Sequence, residues 1–147
     1  MHLTRHSDYS LRVLIFLAAK RDALATIPEI ANAYGISRAH LMKVVQTLAD
    51  LGYLETVRGR GGGLALGMAP EKIRVGAVIR QTEESLDLVD CFSSGTGART
   101  CRITPACKLK GILAEALQAF FRKLDEYTLA DIVEGRAAPL KRLLALV

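Results

Sequence analysis

A glycine-rich basic segment between two short apolar stretches constrains the fold of this chain more than any other feature. The segment is RGRGGG, residues 58–63, and the stretch before it, residues 53–57, shows the alternation of a β-strand. A second strand is predicted over residues 64–66. The segment is not a nucleotide-binding P-loop, because it contains no GxxxxGK[ST] motif. Two strands joined by a basic glycine tip predict the hairpin of a winged-helix domain.

Two predicted helices stand directly before this wing. A capping box opens at Thr26, the first helix covers residues 27–34, and Gly35 ends it. Ser37 caps the second helix, residues 38–51. The apolar stripe of this second helix consists of Leu41, Val44 or Val45, Leu48 and Leu51. Such a pair is equally typical of an ordinary helical hairpin, but with a wing after it the pattern predicts a winged helix-turn-helix.

This fold brings a set of predicted DNA contacts. The second helix leaves a polar and basic face opposite its apolar stripe, and that face suits the major groove. Its predicted contact residues are Ser37, Arg38, His40, Lys43, Gln46 and Thr47. In the wing, arginines neutralise phosphates or enter a minor groove, and glycines let the backbone approach a phosphate closely. The wing residues predicted to contact DNA are Arg58, Arg60, Gly61 and Gly62.

Net charge and hydropathy limit the possible partners. The 147-residue chain carries a formal net charge of +5, and residues 1–67 hold 8 basic against 5 acidic side chains. This modest bias suits nucleic acid only if it lies on one face. No run of 18 apolar residues occurs, so neither a membrane span nor a membrane partner is expected. The first residues do not resemble an export signal, so we expect a cytoplasmic protein, a location in which free thiols persist.

The three cysteines of the chain, Cys91, Cys101 and Cys107, form a C-x9-C-x5-C array. Their odd number argues against a disulfide framework. They are compatible with small hydrophobic side chains in a core, but the residues between them are polar and turn-forming. Cysteine thiolates suit zinc or iron–sulfur clusters. The array therefore predicts a metal or cluster site that is one ligand short of four.

One predicted helix precedes these features and another follows them. The first covers residues 8–20, and from local sequence Asp8 is typical of a helix cap. The other covers residues 106–127, with an apolar band over nearly half of its circumference. Such a band indicates a dimer helix, because symmetric DNA-binding proteins pair their half-sites. The alternative is a helix packed only on its own domain.

These elements together predict a mainly α protein with a small β-wing. A winged helix-turn-helix domain is followed by a long C-terminal dimerisation helix. The predicted division is a DNA-binding domain over residues 1–80, a cluster-binding loop over 81–105, and the dimerisation helix with its tail over 106–147.

Several stretches, taken together, resemble the NsrR-type nitric-oxide-sensing repressors. These stretches are DYSLRVLIFLA, RGRGGGLALG, LVDCF, CRITPACKLK and YTLADIV. The family belongs to a superfamily of winged-helix iron–sulfur regulators that includes IscR, and the similarity covers nearly the whole chain. The resemblance implies a homodimer that holds one cluster per subunit, binds a palindromic operator in double-stranded DNA, and releases it when nitric oxide nitrosylates the cluster.

The resemblance also implies a ligand set. Cys91, Cys101 and Cys107 fall on the three cysteine ligand positions of the family, and Asp8 lies where part of the family has a fourth ligand from the partner subunit. A [4Fe–4S] cluster is the cofactor implied, with [2Fe–2S] as the alternative. IscR-type proteins carry a histidine ligand where this chain has Lys110, which argues against their [2Fe–2S] arrangement. The gap of nine residues after Cys91 is longer than the family pattern leads us to expect.

Two other functions remain compatible with the motifs. One is a winged-helix regulator that responds to a different signal through an iron–sulfur cluster, zinc or redox-active thiols. The other is a small electron carrier, although a carrier has no use for a wing and a recognition helix. No paired carboxylates or Ser/His/Asp constellation accompany the cysteines, so an enzyme is not predicted.

Overall fold

The computed structural model describes residues 2–21, 23–93 and 101–146. It contains seven α-helices and one two-stranded sheet within those residues. In chain order these are α1 (Arg5–Lys20), α2 (Ile27–Tyr34), α3 (Arg38–Asp50), β1 (Leu54–Val57), β2 (Gly63–Leu66), α4 (Val75–Thr82), α5 (Lys108–Asp125), α6 (Leu129–Val133) and α7 (Ala137–Leu143). The architecture is mainly α with a small β-wing, as predicted.

Helix α1 begins earlier than the sequence predicts, and the expectation that Asp8 caps it is wrong. The Thr4 hydroxyl accepts a hydrogen bond from the Ser7 backbone N–H at 3.3 Å, which makes Thr4 the N-cap. The first turn escaped the apolar pattern because Ser7 and Ser10 are polar residues that are fully buried. Asp8 therefore lies within the first turn of α1, and its carboxylate is not the helix cap.

The helix-turn-helix forms as its caps predict. Thr26 and Glu29 make a reciprocal capping box at the start of α2, and Gly35 ends that helix with a φ of 64°. The Ser37 hydroxyl accepts from the His40 N–H at 3.3 Å and so caps α3. These caps fix the turn and hence the direction in which α3 leaves it.

The wing is an antiparallel hairpin in which Leu54 pairs with Leu66 and Val57 with Gly63. Ala25, just before α2, adds two backbone hydrogen bonds to Leu64, at 3.0 and 2.7 Å. At the tip, a Cβ on Gly62 would collide with the Val57 carbonyl oxygen. Hairpin closure therefore requires glycine at this position, whatever the wing binds.

The core lies between α1 and the helix-turn-helix, and the chain after α5 returns to it. One hydrophobic cluster contains Phe16 and Leu14 of α1 with Leu41 and Val44 of α3, all fully buried, together with residues of α6 and the residue that follows α7. The C-terminal contributors are Leu129, Val133 and Leu144. The C-terminal tail therefore packs on the core. The predicted division at residues 80 and 105 stays a prediction.

Helix α5 splits its apolar residues between two faces. One face turns towards α4, and on it Phe121 is buried. The other face carries a stripe of exposed apolar residues at helical spacing. This outer stripe consists of Leu109 (59% exposed), Ile112 (60%), Ala116 and Phe120 (37%). None of the helices in the described ranges has the length and hydropathy needed to cross a bilayer.

Helices α4 and α5 are joined by a bidentate ion pair. Arg80 donates to both carboxylate oxygens of Asp125, at 2.8 and 2.6 Å, and its guanidinium lies 4.4 Å from the centroid of the Phe121 ring. Gly76 makes room for this pair, because a Cβ there would collide with the Asp125 carboxylate. The hydrogen bond from Arg80 holds the pKa of Asp125 below its ordinary value.

The Arg80–Asp125 pair predicts a pH-dependent contribution to stability. Because the folded-state pKa of Asp125 is lowered, its contribution is present above the unfolded pKa of about 3.9 and is lost as the pH falls through the folded value. Asp125→Asn should lower the free energy of unfolding by ~0.5–1 kcal/mol at pH 7, the range for a solvent-screened pair. Urea midpoints should converge with wild type at acid pH. In an Arg80→Gln background the substitution should have little effect; an equal gap at both pH values would contradict the assignment.

Candidate DNA-binding face and cysteine segment

The outward face of α3 presents most of the predicted DNA contacts to solvent. Arg38, Lys43 and Gln46 are exposed, and the Ser37 cap at the start of the helix is exposed as well. Gln46 donates from Nε2 to the Asp50 carboxylate at 2.8 Å, which leaves its amide oxygen available. The face is therefore polar, exposed and held on a helix whose other side is fully packed.

His40 and Thr47 occupy the margins of this face. Both are half-buried, and the Thr47 hydroxyl donates to the Lys43 carbonyl oxygen at 3.1 Å, inside its own helix. The His40 ring meets the Tyr9 ring edge-on, with 5.2 Å between centroids. Their predicted contacts with DNA stay predictions.

Two apolar residues on the same face were missed by the sequence reasoning. Met42 is 60% exposed and Ala39 is also exposed, beside Lys43 and Gln46. The signal was present in the spacing, since positions 39, 42 and 46 recur at three and four residues on a helix. The sequence prediction named only polar and basic side chains on this face.

A cluster of two tyrosines and one arginine contacts the start of α3 through the His40 ring. The Arg12 guanidinium lies 5.8 Å from the ring centroids of both Tyr9 and Tyr34. Burial raises the pKa of the Tyr34 hydroxyl to about 12, so it stays neutral at any ordinary pH. Through Tyr9, helix α1 contacts His40 and so touches the recognition helix at its N-terminal end.

The wing presents its two arginines to solvent. Arg58 and Arg60 are both exposed, and neither belongs to the ion pairs formed among the described residues. Gly61 is exposed with a φ of 79°, whereas Gly62 is half-buried in the hairpin turn. The guanidinium groups are therefore available for phosphates, which is the role predicted for them.

Arg60→Ala should weaken binding to all duplex sequences alike. A phosphate contact releases counterions, so its loss should reduce the slope of log K against log salt by about one unit. Fluorescence anisotropy of a labelled duplex across a salt series measures that slope. Arg136→Ala removes the same charge from the N-cap of α7 and serves as the control. If both variants keep the wild-type slope, the wing does not touch phosphates.

The three cysteines are free thiols on two short segments that precede α5 in the chain. Cys91 is half-buried in a 3₁₀ turn, Asp90–Phe92, while Cys101 is exposed just before a second turn, Thr104–Ala106. Cys107 is the half-buried N-cap of α5, where the helix dipole favours a negative group. Residues 94–100, which include most of the long gap after Cys91, lie outside the described residues.

The described part of a single chain does not by itself assemble a metal site. Within it, no three His, Cys, Asp or Glu side chains are grouped closely enough to hold a metal ion. The predicted ligand Asp8 instead pairs with Arg12, at 2.8 and 3.0 Å. Asp8, by accepting this hydrogen bond, raises the pKa of the Arg12 guanidinium. The ligand assignments of Cys91, Cys101, Cys107 and Asp8 stay predictions.

A polar junction ties the start of α1 to the end of α4, eight residues before Cys91 in sequence. The Glu83 carboxylate accepts from the Thr4 backbone N–H at 2.8 Å and from its hydroxyl at 3.1 Å. Beneath it, the Thr82 hydroxyl lies 2.8 Å from the buried Ser7 hydroxyl. The segment that leads to the cysteines therefore starts from a point fixed to α1.

Comparison with known proteins gives a family match over most of the chain. Residues 3–135 match the family described as Rrf2, iron-dependent transcriptional regulator. The HTH-type transcriptional regulator NsrR of Bacillus subtilis is 51% identical over 144 residues, covering 97% of both chains. The NsrR regulator of Geobacillus kaustophilus is 50% identical over 139 residues, covering 94% of this chain and 93% of its own.

Solved structures agree on the fold. CymR, the global cysteine regulator of B. subtilis, superposes with a TM-score of 0.71 at 26% identity, over 90% of this chain and 95% of its own. T. potens IscR superposes with a TM-score of 0.70 at 23% identity, over 92% of this chain and 88% of its own. At this identity the likeness to IscR concerns the fold alone.

Proposed function

The chain belongs to the Rrf2 family of iron-dependent transcriptional regulators, and from that premise we propose that it is a repressor that senses nitric oxide. As an NsrR-type transcriptional regulator it is not an enzyme. We propose further that three cysteines hold a [4Fe–4S] cluster, and that operator binding depends on it. One observation carries the proposal: helix α1 contacts α3 through Tyr9 and His40, and its N-cap is hydrogen-bonded to Glu83, eight residues before the first of three free cysteines.

The donor chemistry of the cysteine segment fits an iron–sulfur cluster. The three free thiols lie in a 3₁₀ turn, just before a second turn, and at the N-cap of α5, outside the body of any α-helix or strand. Thiolates are the usual ligands of such clusters, whereas hard cations prefer oxygen ligands. The cysteines Cys91, Cys101 and Cys107 would hold the cluster. When bound, the cluster supplies iron with which nitric oxide reacts.

A fourth ligand must come from outside the cysteine array, and Asp8 of the partner subunit is the candidate that we propose. Among the described residues of its own chain, the partly exposed Asp8 carboxylate has a single ion-pair partner, Arg12, one turn along the helix. Such i,i+4 pairs contribute only about 0.3–0.5 kcal/mol, so the carboxylate is easily given up. The exposed outer stripe of α5 supports a second copy as its covering partner.

The contacts of α1 provide a route from the cysteines to the DNA face. The same helix is tied to Glu83 at the start of the cysteine segment, carries Asp8, and supports His40 of α3 through Tyr9. If Asp8 and the thiols release their shared site, α1 loses one of its constraints and the two recognition helices of the dimer change their spacing. A shift of a few kcal/mol between two such states is enough to empty an operator.

The ligand proposal for Asp8 can be separated from any structural role. Because Thr4 is the N-cap, Asp8→Ala should cost the apoprotein only the weak Arg12 pair. As a ligand, however, its loss should change the absorption and resonance Raman spectra of the reconstituted protein and shorten the lifetime of its iron and sulfide in air. Arg12→Gln removes the same ion pair and keeps the carboxylate, so its spectra should stay as in wild type. Unaltered spectra and lifetime in Asp8→Ala would exclude Asp8 as a ligand.

The proposed function itself is tested by removing the metal. Anaerobically reconstituted protein should bind a duplex enriched from a random library at least tenfold more tightly than the same protein after chelation. Zinc in place of iron would show itself as a colourless protein whose metal analysis gives zinc, because Zn²⁺ is a d¹⁰ ion. Equal affinities with and without iron would contradict control by a cluster.

A further inference from the structure

We propose that Met42 is a specificity-determining residue that reads a thymine C5-methyl group in the major groove. This inference deepens the proposed function and rests on it, since it requires that α3 enters the groove. It concerns the identity of one base pair in each half-site, which neither the family match nor the predicted polar contacts address.

The position of Met42 on α3 is the first support. Its large apolar neighbours on the helix are all packed: Leu41, Val44 and Leu48 are 0% exposed, and Val45 is 7% exposed. Met42 is 60% exposed and is not part of the described hydrophobic core or of the side chains packed against it. A single exposed apolar residue is ordinary on a protein surface. This one, however, stands in the middle of the reading face.

The neighbours of Met42 supply the second support. Ala39, one turn earlier, is a second small apolar group, and Gln46, one turn later, has a free amide oxygen. Together these three residues form a line along the exposed side of α3, with two apolar side chains followed by an amide. Lys43 lies beside the line and is suited to phosphate.

The chemistry of the groove then selects the partner. Among the base edges in the major groove, the thymine C5-methyl is the apolar group, and the other positions are donors and acceptors. The methionine side chain is long, unbranched and flexible, so it can pack against such a methyl group in several conformations. Against a cytosine or a purine edge, Met42 would cover polar atoms without satisfying them, which costs free energy. The arrangement therefore favours thymine opposite Met42.

The test removes one methyl group from the DNA and one side chain from the protein. A duplex is first enriched from a random library with the cluster-loaded wild-type protein. Each thymine in it is then replaced singly by deoxyuridine, which differs only in lacking the C5-methyl, and affinities are measured by anisotropy. One position per half-site should lose about fourfold in affinity, the scale expected for one methyl group removed from water. With Met42→Ala, that position should become indifferent to the methyl.

Matched variants keep the result interpretable. Truncation at a side chain that is 60% exposed leaves the packed face of α3 intact. Val57→Ala, which shortens an exposed apolar residue on the wing, should keep the full methyl effect. Lys43→Ala should weaken binding without changing which thymine is sensitive.

The possible results distinguish a failure of the Met42 proposal from a failure of the proposed function. If Met42→Ala and wild type show the same sensitivity at every thymine, or wild type shows none, the Met42 proposal is overturned while DNA binding stands. If no duplex can be enriched at all, the proposed function fails and the assignment of Met42 fails with it.

Discussion

Replacement of Cys101 by alanine is expected to abolish iron and sulfide loading altogether. Loss of one of three thiolates leaves too few soft ligands for a cluster, and no fourth cysteine exists to take its place. Cys101 is the most informative of the three because it is exposed and follows the long gap. Iron and sulfide analysis after anaerobic reconstitution measures the effect, together with the absorption spectrum.

The protein should fold normally with this substitution, so that a loss of loading can be assigned to the missing thiol. Cys101 is exposed, so its truncation opens no cavity, and the apoprotein should keep its wild-type circular dichroism and urea midpoint. Arg102→Ala, at the exposed neighbouring residue, should load normally. Full loading of Cys101→Ala would show that the long gap does not deliver this thiol to iron.

Ile112→Glu is expected to dissociate the proposed dimer into monomers. The outer stripe of α5 places three large apolar side chains in one exposed row, which is typical of an interaction surface, and Ile112 lies within it at 60% exposure. A symmetric interface contains the substitution twice, and each unpaired buried carboxylate should cost about 3 kcal/mol or more. The two costs together are about 6 kcal/mol, so the dimer dissociation constant should rise by ~10⁴-fold or more, as measured by sedimentation or light scattering.

A carboxylate elsewhere on α5 provides the control. Gln118→Glu adds the same charge at an exposed position away from the outer stripe, and it should leave the dimer intact. The monomeric fold should tolerate Ile112→Glu, since the side chain is exposed within one chain. A wild-type protein that is monomeric at micromolar concentration would remove the basis for a palindromic operator and for a ligand from the partner subunit.

The winged helix-turn-helix is predictable from the sequence because its helix caps and its turn depend on residues that are close together in the chain. The capping box at Thr26, the left-handed Gly35 and the Ser37 cap act within a few residues, and each appears in the structure where the sequence places it. The structure also forms a capping box of the same local kind at Thr128. The wing followed from a strand, a glycine turn and a strand, which is again a local pattern.

Contacts between distant residues were not predictable in the same way. The start of α1 differs from the sequence prediction because Ser7 is buried against Thr82, a partner 75 residues away. The Arg80–Asp125 pair and its clearance at Gly76 likewise join helices that no sequence period relates. The candidate cluster site is the extreme case, since its ligands are proposed to come from two loop segments and a second subunit.

The central claim is that nitric oxide empties the operator through the cysteine-bound cluster. The most direct test is an anaerobic titration of nitric oxide into cluster-loaded protein bound to its enriched duplex, with anisotropy and visible absorption recorded on the same sample. We predict that the duplex dissociates in step with the loss of the cluster absorption, and that Cys101→Ala protein shows no response to nitric oxide. If the absorption is lost while the affinity for the duplex stays unchanged, the cluster does not control DNA binding and the account is wrong.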